Sequence, residues 1–313
     1  MRLSFVVNEY VTLKQSIGLI FKSQAKMLTY FYRALDDKDI SEVEPDAVLR
    51  FISGNGPVTS FWHSKFSILK GFYQFAISRR YVDVSPLPTT IPKRPESPPP
   101  YIYTTEELRR LLAATNTLDT PLSPLQAISF RTLLLTLYGT GLRISEALSL
   151  TLKEVNLLDR LITVRNCKFH KSRLVPTGPT LTQTLDTYAR KRRQLPLPAA
   201  EESAFFVTRT GNAISYDWVN DIWQILRKRA DICRTDGGPR PRVHDLRATF
   251  AVHRLISWYR EGADVQRMLP LLSTYLGHLD ISGTQCYLSM VPELLAEARQ
   301  RFEQYALPEV NHE

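Results

Sequence analysis

Apolar residues at three- and four-residue spacing dominate the first third of the chain. Leu13, Ile17, Ile20, Phe21, Met27, Leu28, Phe31 and Leu35 follow one another at helical intervals, so the pattern predicts helix through this stretch. Pro45 opens another helical segment with Val48, Leu49, Phe51 and Ile52, and Gly54-Asn55-Gly56-Pro57 closes it as a turn. A third segment carries Phe61, Trp62, Phe66, Leu69, Phe72, Tyr73 and Phe75 on its apolar side, and His63, Lys65, Lys70, Arg79 and Arg80 on the other. Residues 1–84 therefore read as a helical bundle with a basic face. Pro86, Pro88, Pro92, Pro95 and the run Pro98-Pro99-Pro100 mark 85–100 as an extended, semi-rigid linker.

The pattern changes after the linker. Thr104-Thr105-Glu106-Glu107 is a capping-box signature leading into Leu108, Leu111 and Leu112. A buried helix is expected over 123–138, followed by a tight turn at Gly139-Thr140-Gly141, with Arg143 at its exit. Leu161–Val164 and Leu174-Val175 alternate as strands of a hairpin, and Phe205-Phe206-Val207 reads as a further short strand. Helices are expected near 180–193 and 215–231. The fold class is thus mainly α with a small antiparallel β-sheet. Its second domain spans 101–291, and the 292–313 tail carries Leu294, Leu295, Ala298, Phe302 and Tyr305 on one helical stripe.

Composition narrows the function classes. Lys plus Arg number 40 against 31 Asp plus Glu, for a net charge of +9, with the excess in both halves of the chain. That is the footprint of a polyanionic partner or, equally, of plain solubility charge. Cys167, Cys233 and Cys286 are scattered and unpaired in sequence, which argues against a disulfide framework or a zinc site. No apolar run approaches a membrane span, and Glu9 and Lys14 interrupt the place of a signal peptide. The expectation is a cytoplasmic protein.

Candidate chemistry concentrates between His244 and Tyr287. His244-Asp245-Leu246-Arg247 puts an imidazole and a guanidinium on one helical face. Leu276-Gly277-His278 sets a second imidazole just past a helix stop, and Tyr287 follows. Upstream, Arg143 precedes Glu146, and the hairpin turn holds Lys168, His170 and Lys171 between Arg165 and Arg173. Each has an ordinary reading when taken alone. Arg143–Glu146 can be a surface pair, Tyr287 a half-buried core residue, and His278 a helix cap.

Taken together and in this order, Arg143, Lys168, His244-x-x-Arg247, Leu276-Gly277-His278 and Tyr287 resemble the tyrosine recombinases, the site-specific DNA recombinases that include phage integrases. The resemblance is weak over 1–95 and strong after 101. The wording Trp258-Tyr259-Arg260-Glu261-Gly262 and Leu269–Tyr275 is similar to recombinases of bacterial mobile elements. One departure is that Lys168 lies between Cys167 and Phe169, where family members often carry glycines, which leaves Lys171 as a competitor for its role.

The resemblance implies a core-binding, SAM-like N-terminal bundle on DNA and a C-terminal mixed α/β catalytic domain. It implies strand cleavage by Tyr287 through a 3′-phosphotyrosyl link, with no metal and no cofactor. Arg143 and Arg247 would hold the phosphate, His244 and His278 would donate hydrogen bonds, and Lys168 would protonate the departing 5′ oxygen. Glu146 would orient Arg143 or His244. Lys65, Lys70, Arg79, Arg165, Lys171, Arg173 and Arg242 are the expected DNA-binding residues. The implied partners are double-stranded DNA with inverted half-sites and sister subunits, as a homo-tetramer or hetero-tetramer, with the tail docking on a neighbour and the whole nucleoid-associated. A relaxing type IB-like topoisomerase, a telomere resolvase and a non-catalytic DNA-binding relative are the competing readings.

Overall fold

The computed structural model describes residues 1–287 apart from Ser97, Leu122, Pro124, 166–171 and Leu279, together with Ala296 and Arg299. The chain divides into two compact units, Met1–Ser97 and Pro98–Glu313. Among the described residues, no helix is long and apolar enough to cross a membrane.

The first unit is built from α1 (Leu3–Ser16), α2 (Lys22–Ala34), α3 (Pro45–Ser53) and α4 (Ser60–Ser78). Its core joins Leu28, Phe31, Val48, Ile52, Leu69, Phe72 and Tyr73. Pro45 starts α3 where its missing N–H costs nothing, and Gly54 stops it at φ 59. Thr59 caps α4 by accepting from the Trp62 N–H. The apolar spacing from Leu13 to Leu35 does not make one helix. Gly18, at φ 85, and Phe21, at φ 43, break it, and the Gly18 N–H turns back to the Gln15 carbonyl. Ile17 and Ile20 are left largely exposed.

The second unit begins with α5 (Thr105–Ala114), held by the capping box that Thr104 and Glu107 predict. Then come α6 (Gln126–Thr140), α7 (Ile144–Leu148), and the strands β1 (Val155–Asn156), β2 (Leu161–Val164) and β3 (Arg173–Pro176). The strands form an antiparallel sheet in the order β1-β2-β3, with Ile162 opposite Val175 and Val164 opposite Arg173. The remaining helices are α8 (Pro179–Arg193), α9 (Tyr216–Arg229), α10 (Asp245–Arg260), α11 (Val265–Leu276) and α12 (Ser282–Gln285).

Two local expectations need correcting. Phe205-Phe206-Val207 is not a strand. A strand needs consecutive partners, and here only isolated bridges form, Ala204 with Thr151 and Val207 with Ala213. The two phenyl rings instead pack with Tyr188 in the core. Gly139 and Thr140 are not a turn but the last residues of α6, and Gly141 alone takes the left-handed conformation, at φ 62. A Cβ at Gly141 would lie 2.5 Å from Phe250 and 2.8 Å from Leu276. Glycine therefore lets the end of α6 press against α10 and α11. Residues Asp245 to Val252 are all buried, so the first half of α10 is enclosed on every side.

Candidate active site

Four helix ends build the site. Arg143 is the residue before α7, and Glu146 reaches back from the first turn to accept the Arg143 N–H at 2.9 Å. The Arg143 Nη1 donates to Glu146 Oε1 at 2.8 Å, and its Nη2 donates to the Gly277 carbonyl at 2.9 Å. Arg247, in the first turn of α10, donates from Nη1 to the Gly141 carbonyl and from Nη2 to the Leu276 carbonyl, both at 2.7 Å. Gly277 closes α11 at φ 69. Two guanidiniums from distant parts of the chain thus satisfy carbonyls that a helix terminus leaves without internal partners.

His278 and Tyr287 complete the group. The His278 Nδ1 lies 2.7 Å from the Thr284 Oγ1, and the rings of His278 and Tyr287 are 6.2 Å apart. Tyr287 is only 9% exposed and packs with Ala248, Leu272 and Leu276. His244 is the partly covered residue just before α10, one turn from Arg247. The fold therefore brings Arg143, Arg247, His278 and Tyr287 together, with His244 at the rim. Lys168 and its competitor Lys171 lie outside the described residues.

The electrostatics favour a bound anion. Burial alone would raise the Glu146 carboxyl, but hydrogen bonds and charge from Arg173 and Arg143 pull it down to about 2. Burial and the neighbouring Arg143 lower the Arg247 guanidinium to about 10, still protonated at neutral pH. Burial, then Arg247 and Arg143, push His278 down to about 4. Burial and Arg247 also lower His244. Burial raises the Tyr287 phenol, and Arg247 opposes that by charge and hydrogen bonding. At neutral pH the site thus holds charged arginines, neutral imidazoles and a protonated phenol.

A pH effect on stability follows. The folded His278 titrates near 4, below the ordinary ~6.5 of an unfolded histidine. Between those values the unfolded chain binds more protons, so stability is present above the upper value and is lost as pH falls toward the lower. Melting temperature is expected to drop as pH falls from about 6.5 to about 4, and His278→Gln to flatten that drop. An unchanged slope in the variant would contradict the assignment.

Several expected DNA contacts fall elsewhere. Arg173 does not reach outward. It donates from Nη1 and Nη2 to Glu146 at 3.0 and 2.7 Å, and from Nε to the Tyr275 carbonyl at 3.0 Å. The signal was available: Arg173 is two residues from buried Val175 on the same strand, so it shares the inward face. Lys65 also turns inward, donating to the Phe51 carbonyl at 2.7 Å and lying over the Phe51 and Phe61 rings. It covers the end of α3, whose terminal carbonyls need a donor. Lys70 and Arg79 are exposed. Arg165 and Arg242 are exposed too, in ion pairs with Glu154 and Asp245. The sequence reading missed buried Asp245, which accepts the Arg242 N–H at 2.8 Å and anchors the start of α10.

The sequence matches the phage integrase family over residues 102–293. It is 32% identical over 305 residues to the Sinorhizobium fredii protein named "Putative integrase/recombinase y4rE", with 94% of each chain covered. It is 31% identical over 225 residues to the tyrosine recombinase XerD of Staphylococcus epidermidis, covering 71% of this chain and 68% of XerD. Among solved structures, the Tn1549 transposon integrase in complex with transposon right-end DNA aligns with a TM-score of 0.70 at 17% identity, over 98% of this chain and 100% of that one. A lambda integrase tetramer bound to a Holliday junction aligns with a TM-score of 0.68 at 16% identity, over 92% and 77%. At these identities the structural likeness is one of fold.

Proposed function

The chain belongs to the phage integrase family, the tyrosine recombinases, and on that premise we propose that Tyr287 cuts DNA at a phosphate held by Arg143 and Arg247. The protein is a site-specific recombinase. The observation that carries the site assignment is the convergence of both guanidiniums on the Gly141 and Leu276-Gly277 carbonyls beside the Tyr287 phenol.

The chemistry follows from the side chains. A guanidinium has five N–H donors, and each arginine spends two Nη groups on fixed partners. Those bonds lock its plane, and its other N–H groups can meet the non-bridging oxygens of a phosphodiester. Charge grows on those oxygens as the nucleophile approaches, and preorganised donors stabilise it. The Tyr287 oxygen forms a bond to phosphorus as the bond to the 5′ oxygen breaks. The phenolic proton passes to neutral His244, and the 5′ oxygen takes a proton from Lys168. In the tautomer with its proton on Nε2, His278 accepts from the Thr284 hydroxyl at Nδ1 and offers Nε2–H to the phosphate. The phosphotyrosyl link keeps the energy of the broken bond, so rejoining to another strand needs no ATP.

The basic N-terminal unit, 1–84 by the sequence reading, is the proposed second hand on the duplex, joined through the 85–100 linker. Exposed Lys70, Arg79, Arg165 and Arg242 are the proposed phosphate contacts. The compared integrases were solved on transposon-end DNA and, as a tetramer, on a Holliday junction, which supports double-stranded DNA, a tetrameric working assembly and a mobile-element setting for this chain; to these we add, from the family resemblance, inverted half-sites and a cytoplasmic setting. Cyclic head-to-tail contacts close such a ring. The apolar stripe of the 292–313 tail fits that role. Deleting the residues after Val291 is expected to spoil recombination while gel-shift affinity stays near wild type. Affinity falling in step with recombination would contradict it.

The direct test uses duplexes selected for binding to the wild-type protein and nicked at each successive phosphate. A nick just past the scissile phosphate lets the cleaved end diffuse away and traps the adduct. The expected result is a covalent protein–DNA band at one nick position. Tight, specific binding with no adduct at any position would leave a DNA-binding relative rather than an enzyme.

A further inference from the structure

We propose that Arg173 is a positioning residue for strand cleavage, fixing Arg143 through Glu146 and fixing the turn that carries His278 through the Tyr275 carbonyl. The inference rests on the recombinase reading of the site above.

Geometry carries it first. Glu146 lies between two guanidiniums. Its Oε1 accepts from Arg173 Nη1 at 3.0 Å and from Arg143 Nη1 at 2.8 Å. Its Oε2 accepts from Arg173 Nη2 at 2.7 Å and from the Arg143 backbone N–H at 2.9 Å. The carboxylate therefore cannot swing without dragging Arg143 with it. Burial points the same way. The Arg173 side chain is 14% exposed and that of Glu146 is 9%, and each of the three Arg173 nitrogens donates to Glu146 or to the Tyr275 carbonyl.

A second set of contacts closes a loop. The Arg173 Nε donates to the Tyr275 carbonyl at 3.0 Å, in the last turn of α11. A Cβ at Gly277 would lie 2.9 Å from Arg173 Nη1, so the guanidinium lies directly against this turn. The Gly277 carbonyl in turn holds Arg143 Nη2. Arg173, Glu146, Arg143 and the 275–277 turn thus form a closed ring of bonds. Arg173 also opens β3, so the strand returning from the 166–171 segment is pinned to the arginine cradle. Without Arg173, the buried carboxylate loses a guanidinium that shares it with Arg143 and draws Arg143 toward itself, away from a phosphate. Small misplacements of a catalytic group are enough to cost large factors in rate.

The test uses full-length Arg173→Gln and Arg173→Lys proteins. One arm follows the Glu146 carboxyl by NMR in the free protein and needs no DNA. Its midpoint is expected to rise by about one pH unit or more in Arg173→Gln, toward the ordinary carboxylate range. The other arm is single-turnover cleavage of the trapping duplex. Arg173→Gln is expected to cleave about tenfold to hundredfold more slowly at DNA saturation, with affinity unchanged and the acid limb of the rate profile moved to higher pH. Arg173→Lys should recover part of the rate.

A duplex with sulfur in place of the scissile 5′ oxygen separates routes, because a thiolate leaves without protonation. If Arg173 acts on Arg143, Arg173→Gln stays slow on it. Full recovery on that duplex would move the effect to the leaving-group acid and overturn the proposal. So would an unmoved Glu146 midpoint, or a rate that falls only with affinity. Should Arg173→Gln not fold, Arg173→Lys carries both arms, since an ammonium keeps the charge but cannot hold both carboxylate oxygens and the Tyr275 carbonyl. Failure of the wild-type protein to form any adduct would count against the recombinase reading, and the carboxylate arm would still decide the Arg173–Glu146–Arg143 linkage.

Discussion

Tyr287→Phe is expected to abolish covalent capture of DNA, with cleavage falling roughly 10⁴-fold or more, as for loss of other enzymatic nucleophiles. The substitution removes one oxygen and keeps the ring. Tyr287 is 9% exposed and packs with Ala248, Leu272 and Leu276, so the ring's share of the core is retained. The interaction that goes is the one between the phenol oxygen and the Arg247 charge. The variant should therefore fold, melt near the wild type and bind the same duplex with similar affinity. Trapping on nicked duplexes, read beside a gel shift, checks this. Adducts forming at the wild-type rate in Tyr287→Phe would remove the proposed nucleophile.

Arg247→Ala carries the second large effect, and it acts on both fold and chemistry. Arg247 is 4% exposed and donates to the Gly141 and Leu276 carbonyls. Alanine leaves both buried acceptors without those donors, at about 1–3 kcal/mol each, and leaves a cavity as well. Urea unfolding should show a loss of several kcal/mol. Cleavage should fall by about 10³-fold or more, because one of two preorganised charge-stabilising groups is gone. Arg247→Lys refines the point. It keeps the cation but cannot reach two carbonyls and a phosphate at once. It should recover some stability and little of the cleavage rate. A lysine variant cleaving within about tenfold of wild type would show that charge alone suffices there, against the planar-fork account.

The parts of this fold visible in the sequence were those where local chemistry and tertiary packing agree. The capping box at Thr104 and Glu107, the Gly277 stop of α11 and the apolar side of α4 all follow from short-range rules. The His244, Arg247, His278 and Tyr287 set was legible as motifs, because each sits where a helix starts or stops. What escaped were residues whose role depends on a distant partner. Arg173 stands among basic neighbours and reads as a phosphate contact until Glu146 and Tyr275 are seen beside it. Lys65 looks like part of a polar face, yet the end of α3 draws it in. Ile17 and Ile20 keep helical spacing, but Gly18 offers a left-handed exit that periodicity cannot weigh. Phe205 and Phe206 have strand composition without a run of partners to pair with.

A single phenol oxygen joins the DNA in this mechanism. Tyr275 is another phenol in this part of the chain, and burial raises it to about 12. Proteolysis of the trapped wild-type complex followed by mass spectrometry of the DNA-linked peptide reads the attachment directly. The expected peptide spans Tyr287, with the 3′ phosphate on that side chain. A linkage on Tyr275, or on any residue other than Tyr287, would contradict the central claim.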